Sequence, residues 1–299
     1  MRRIIWAALA GALLAACAAS SGVRETSGAM SVFADLPPDA PVYIRVDAER
    51  SRELLDDALA LAGLGGKTLK AFMGRTLAAS LALYPRANRT GGGRTFALAG
   101  SGKNYPVAAS SFSFFLSPSW KKVRSATGKK YWRSSKSRIS LLIRRNKAYI
   151  SDGDPFFDGS GAEPPAGFAF FSEGSSVSAW INDMSLLNNA LERLDIPITV
   201  PADAIYIAAF EEDDVWQAVF RLETPSAAQA RGLVSVLSMA RSAFARGYIT
   251  GSAARFARLL LSEAPLADGS ALVIKSPVMA RAEFAALIVS LQTAALSRL

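Results

Sequence analysis

Hydrophobic and polar positions change period several times along the chain, and each change predicts an element. Val42 to Val46 is a β-rich run after Pro37-Pro38-Asp39-Ala40-Pro41, where the prolines forbid a helix, and Asp47 stands where it can cap the next helix. Leu54, Leu55, Ala58 and Leu59 then recur at helical spacing until Gly63, Gly65 and Gly66 end the pattern. A second amphipathic helix is predicted from Lys67 to Leu83, with Leu69, Phe72, Met73, Leu77 and Leu81 on one side and only basic charges. From Arg94 onward period two takes over. Strands are predicted at Arg94 to Ala99, Val107 to Leu116, Tyr131 to Ser134, Arg138 to Ile143 and Lys147 to Ser151, with turns at Gly100-Ser101-Gly102 and Arg145-Asn146.

Beyond a Gly, Asp and Pro-rich passage from Asp152 to Pro165, strands are predicted near Phe168 to Phe171 and Ser176 to Ile181. A helix carrying Met184, Leu187, Leu191 and Leu194 follows, then a hairpin pairing Ala204 to Phe210 with Val215 to Leu222 across Glu211 to Asp214. The last third is predicted to be largely helical. Thr224-Pro225 and Ser276-Pro277 both read as a cap followed by a first-turn proline. The helices would carry Leu233, Val234, Leu237 and Phe244, then Phe256, Leu259 and Leu260, and finally Phe284, Leu287, Ile288, Leu291 and Ala295. A faint repeat relates Pro38 to Ile44 with Pro201 to Ile207, while the strand-then-helix pattern after Val42 is better matched by Ser176 to Leu194. Hairpins and helices without regular alternation predict an α+β fold of antiparallel sheet packed with several amphipathic helices, with duplication of one half as an option.

The N-terminus carries a different pattern. Arg2 and Arg3 precede an apolar run of 11 residues from Ile4 to Leu14, the layout of an export signal. That run is shorter than the roughly 20 residues a membrane-spanning helix needs. It ends in Leu14-Ala15-Ala16-Cys17, and these four residues resemble the lipobox of bacterial lipoprotein precursors. The resemblance implies that the Cys17 thiol receives a diacylglycerol, that the chain is cut before it, and that the new terminus is acylated with a chain such as palmitate. Each buried methylene contributes about 0.8 kcal/mol, so two or three chains anchor durably where one does not. With Ala18 rather than aspartate after the cysteine, the family rule favours the outer membrane, with the protein body facing the periplasm. The organisation expected is a signal peptide at 1–16, a lipidated Ala, Ser and Gly-rich tether at 17–35, a basic α+β half at 36–155, and an acidic-to-neutral α+β half at 156–299 ending in helices.

Charge sharpens this division. The chain has a formal net charge of +9, yet no acidic residue occurs between Asp57 and Asp152. Of the 34 basic residues, 18 fall in that interval, so the rest of the chain carries 16 against all 25 acids. The densest cluster includes Lys121, Lys122, Lys129, Lys130, Arg144 and Arg145, with Trp120, Tyr131, Trp132 and Tyr149 interleaved. Basic groups gain about 1 kcal/mol each beside anionic headgroups, and Trp prefers the membrane interface. The cluster therefore reads as a contact for an anionic bilayer or an acidic envelope partner, with Phe72 and Met73 as apolar contacts on the preceding helix. The competing reading is a solvated sheet face in which Arg138 and Ser140 alternate with buried Ile139, Leu141 and Ile143. Nucleic acid satisfies the same electrostatics but is seldom met by an exported lipoprotein.

Composition limits chemistry. With no histidine and a single cysteine, one chain cannot build imidazole or thiolate metal sites, Ser/His/Asp triads or Cys/His dyads. Gly100-Ser101-Gly102-Lys103-Asn104 lacks the spacing of a phosphate loop, and Asp152-Gly153-Asp154 with Asp158 lacks the glycine and distal glutamate of a calcium loop. The acidic run Glu211 to Asp214, which could hold a divalent cation, reads first as a solvated hairpin tip. No cofactor or metal is expected. Lipidated tether, histidine-free body and repeated amphipathic helices together resemble, in organisation, spirochaetal outer-membrane-associated lipoproteins whose amphipathic helices insert into the inner leaflet. That resemblance transfers no site residue other than Cys17. The function expected is a non-enzymatic, lipid-anchored envelope lipoprotein whose body associates with membrane or carries an apolar ligand. The alternatives are a module binding an acidic protein or glycan, and a hydrolase using carboxylates such as Asp203 and Glu211.

Overall fold

The structure, a computed structural model, describes residues 33–61, 74–84, 95–105, 120–125, 127–136, 139–156, 161–192, 199–245 and 261–297. In chain order these form a 3-10 turn (Phe33–Asp35), β1 (Val42–Asp47), α1 (Arg52–Leu61), β2 (Thr76–Leu83), β3 (Phe96–Gly102), β4 (Trp120–Arg124), β5 (Lys130–Ser134), β6 (Ser140–Ile143), β7 (Lys147–Ser151), α2 (Ala166–Phe171), β8 (Val177–Ile181), α3 (Ser185–Glu192), β9 (Ala204–Glu212), β10 (Val215–Glu223), α4 (Ala227–Ala245), β11 (Leu266–Asp268), β12 (Ala271–Lys275), β13 (Met279–Ala280) and α5 (Arg281–Ser297). Antiparallel sheet with packed helices makes the fold α+β, as the sequence pattern predicts. Two compact units divide the chain, one of residues 1–165 with 281–299, the other of residues 166–280.

In the first unit the strands lie in the order β1-β2-β3-β7-β6-β5-β4, each antiparallel to its neighbours. β2 and β3 bury small and apolar residues in succession, Ala79 to Ala82 and Phe96 to Ala99, as strands covered on both faces do. Ser51, fully buried, begins α1 by accepting the Leu55 amide on its carbonyl, while Asp47 accepts the amides of Glu49 and Arg50. The helix buries the apolar stripe its spacing predicts, Leu54, Leu55, Ala58 and Leu59. α5 packs beside it, with Arg281 bonded to Asp57 at 3.0 Å and to Glu53. Tyr43 ties the Pro-rich lead-in to β1: its hydroxyl donates to the Pro37 carbonyl at 2.6 Å and accepts the Ala40 amide at 3.0 Å.

In the second unit the order is β8-β9-β10-β12-β11, and β13 also pairs with β10. Phe220, Leu222, Leu272 and Ile274 share one sheet face and pack with Leu233, Val234 and Leu237 of α4. On the other face the Phe168 ring of α2 lies 5.0 Å from Trp180 and 5.6 Å from Tyr206 between centroids. The hairpin β9-β10 turns on Asp213 and Asp214, both left-handed, as a two-residue hairpin loop requires. Each unit thus contains a strand, a helix and a hairpin in one order, β1-α1-β2-β3 and β8-α3-β9-β10. The repeat register that sets Val42 onward against Ser176 to Leu194 follows this topology. The Pro38 to Ile44 likeness does not, because it sets the first strand of one triplet against the second of the other.

Several expectations are corrected. Thr76 to Leu83, predicted as the end of a helix, is β2, because pairing with β1 on one side and β3 on the other overrides the helix preference of its Ala and Leu residues. Phe168 to Phe171, predicted as a strand, is helical: Phe168 turns inward at 1% exposure while Phe170 is 84% exposed. Gly100-Ser101-Gly102, predicted as a turn, ends β3. A methyl on Gly102 would stand 2.1 Å from the Arg75 carbonyl, so this glycine permits close backbone approach rather than a reversal. α4 is capped by Ser226, two residues past the predicted Thr224, whose hydroxyl instead donates to the Ser270 carbonyl. Ser276-Pro277 does not open α5; the Ser276 hydroxyl accepts the Ala218 amide at 2.9 Å, and β13 intervenes. β4, β11 and β12 form where no strand is predicted. The predicted strand at 107–116 and the helix around Phe256 to Leu260 lie outside the described residues.

Phe168→Ala is expected to destabilise the protein by about 3–5 kcal/mol in urea denaturation followed by tryptophan fluorescence, and Phe170→Ala by under about 0.5 kcal/mol. Burial, helped by Asp39 and opposed by the Ala40 amide, pushes the Tyr43 phenol up to about 12. The unfolded phenol ionises near pH 10, so the stability it contributes is complete below about pH 10 and is lost as pH rises towards about 12. Equilibrium denaturation across that window should show a fall in stability that is shallower in Tyr43→Phe.

Candidate functional site

The cationic cluster is divided between the two faces of the sheet. β4 and β5 pair Lys121 with Arg133, Lys122 with Trp132, Val123 with Tyr131 and Arg124 with Lys130. Because side chains alternate along a strand, Trp120, Lys122 and Arg124 share one face with Ser134, Trp132 and Lys130, while Lys121 shares the opposite face with Arg133. Lys122 Nζ lies 5.8 Å from the Trp132 ring centroid, over its face. Lys121, Lys122, Arg124, Lys130 and Arg133 are all exposed, and β4 ends the strand order, where lysines also discourage edge-to-edge pairing. In the connecting turn Gly128 is left-handed, and Lys129 is held by its amide to the Ser125 hydroxyl at 3.1 Å and by its carbonyl to the Ser125 amide at 2.8 Å.

On the face that carries Lys121 and Arg133, a cleft of about 260 Å³ opens over β3, β7 and β6. Its floor is the row Ala99, Tyr149 and Leu142, aligned across the three strands. One step along that face stand Lys147 and Arg144, whose amide donates to the Lys147 carbonyl at 2.7 Å. Asp35 of the 3-10 turn forms one wall and bonds Lys147 at 2.6 Å; Lys129, Pro155 and Phe156 form another. Lys129 Nζ lies 5.2 Å from the Phe156 ring, which meets Tyr131 edge-on at 6.2 Å.

Of the predicted contact residues, Lys129 and Arg144 therefore meet at one cleft, Lys122, Lys130 and Trp132 share the opposite face, and Lys121 stands with Arg133. Arg145 sits at the exposed β6-β7 turn, where its carbonyl accepts the Tyr105 amide. Phe72, Met73 and Cys17 lie outside the described residues. No local pattern marks Asp35 or Phe156 as cleft residues, because only the fold brings them to Lys147 and Lys129. The other acidic candidates do not gather into a site. Asp152 is occupied by the amides of Thr95 and Phe96 and by the Thr95 hydroxyl. Asp203 immediately precedes β9 and Glu211 lies near its far end, roughly 26 Å away along the extended chain, so the two do not converge. Burial, with Asp214 nearby, raises the Glu211 carboxyl above its usual range.

No family model and no curated protein matches the sequence. Its fold does have counterparts among solved structures. Three crystal forms of the Treponema protein TP0453 are similar, with TM-scores of 0.56, 0.56 and 0.54 at 13%, 15% and 16% identity. The likeness covers 86–88% of this chain and 97–98% of TP0453, and at these identities it is a likeness of fold.

Proposed function

We propose that this chain is a non-enzymatic lipoprotein of the bacterial envelope, held through acyl chains on Cys17, whose basic sheet half lies against an anionic membrane surface. The observation that carries this proposal is the β4-β5 ribbon: exposed cations on both faces, Trp120 and Trp132 among them on one face, and no acidic residue anywhere between Asp57 and Asp152. Such a ribbon presents charge that attracts headgroups and indole rings that suit the interface. The fold it shares with TP0453, an outer-membrane-associated protein, supports the same assignment. Among the described residues no helix is long and apolar enough to cross a membrane. Anchoring in this proposal rests on Cys17, with the outer membrane as the site and the body in the periplasm.

Flotation of the chain lacking residues 1–17 with vesicles tests the body apart from the anchor. Binding to phosphatidylglycerol vesicles at low salt, release at high salt and no binding to phosphatidylcholine are expected. Changing Lys122, Arg124 and Lys130, which share the face of Trp120 and Trp132, together to Gln should weaken binding by about 3 kcal/mol, roughly 150-fold. Absence of binding would leave the anchor as the only membrane contact, and equal binding by the triple variant would place the body's contact away from the β4-β5 ribbon.

A further inference from the structure

We infer that the cleft over β3, β7 and β6 binds a small phosphate ester, with Lys129, Arg144 and Lys147 on the phosphate and Leu142 and Phe156 against its organic part. The inference rests on the envelope proposal only so far as the ester is a lipid headgroup; a soluble ester would occupy the same groups. At about 260 Å³ the cleft falls just below the range of drug-sized ligand sites, which suits a headgroup-sized molecule rather than an acyl chain or a peptide.

Charge selects the ligand. Three cations and a single carboxylate line the walled cleft, and such walls focus the surplus positive potential on an incoming anion. Neither Lys129 nor Arg144 has an acidic partner among the described residues, whereas Lys147 is held by Asp35 through contacts of 2.6 and 2.8 Å. A guanidinium presents its donors as a planar fork that takes two phosphate oxygens at once, and Arg144 lines the cleft. Beside these charges the cleft offers Ala99, Tyr149 and Leu142 below, Thr127 at the wall, and the Phe156 ring on which Lys129 already rests. Asp35 then acts as an internal competitor. Its carboxylate neutralises Lys147 in the empty cleft and must share that lysine when a phosphate enters.

Calorimetric titration of the full chain with sn-glycerol 3-phosphate, beside flotation of the chain lacking residues 1–17 with phosphatidylglycerol vesicles, tests this. Saturable one-site binding is expected, weakened at least tenfold by Arg144→Gln and strengthened severalfold by Asp35→Asn. Lys122→Gln, which removes an equal charge from the opposite face, should leave the affinity for the soluble ester within twofold. Binding of the soluble ester would support a free phosphate ester. Vesicle binding that Arg144→Gln weakens and Asp35→Asn strengthens, with no response to the soluble ester, would support the lipid headgroup. Equal effects of Arg144→Gln and Lys122→Gln in every arm, or no binding in either arm, would overturn the site. Vesicle binding lost with Lys122→Gln but kept with Arg144→Gln, with no response to the soluble ester, would sink the cleft and leave the envelope proposal standing. Titration with the soluble ester in the absence of vesicle binding would do the reverse.

Discussion

Positive charge that the polypeptide does not neutralise locally is the constraint on which the rest depends. Eighteen lysines and arginines are spread over a stretch of chain with no acidic residue, so every counter-charge must come from another part of the fold or from outside it. Asp35 supplies one, to Lys147. Lys121, Lys122, Lys129, Lys130 and Arg144 make no ion pair among the described residues. Exposed ion pairs contribute little to stability, so leaving these cations open costs the fold little while keeping them available to an anion in solution or on a surface.

Stability comes from elsewhere. Buried Leu54, Leu55 and Leu59 on α1, the doubly covered strands β2 and β3, and the aromatic group of Phe168, Trp180 and Tyr206 are apolar or small-residue contacts that ionic strength barely affects. The basic ribbon, by contrast, acts through charges screened over about 10 Å at 0.1 M salt. The two properties are thus separable: salt that detaches the protein from an anionic surface should leave its folded core intact. The side chains that would meet lipid are displayed by a core that does not depend on meeting it.

Much of the architecture is legible in the sequence where periodicity and turn chemistry agree. The α1 stripe, the strand Lys147–Ser151, the β9-β10 hairpin and the terminal helix all follow from local pattern. It fails where tertiary pairing decides. Thr76 to Leu83 is rich in helix-forming Ala and Leu, yet it sits between two strands, and Gly102 looks like a turn residue but gives way to the Arg75 backbone. The candidate site divides in the same manner. The density of charge from Lys121 to Lys147 is visible in the chain, but which cations share a face depends on strand register. That Asp35 closes on Lys147 depends on a contact spanning 112 residues.

Hydrogen exchange measured by mass spectrometry on the chain lacking residues 1–17, free and bound to phosphatidylglycerol vesicles, would decide whether the basic half is the part that meets a lipid surface. Slowed exchange across Trp120–Arg124 and Lys130–Ser134, reversed by high salt while Ala227–Ala245 stays unchanged, is the expected result. Protection confined to Ala227–Ala245 and Arg281–Ser297, with the basic strands exchanging as they do in free solution, would contradict it.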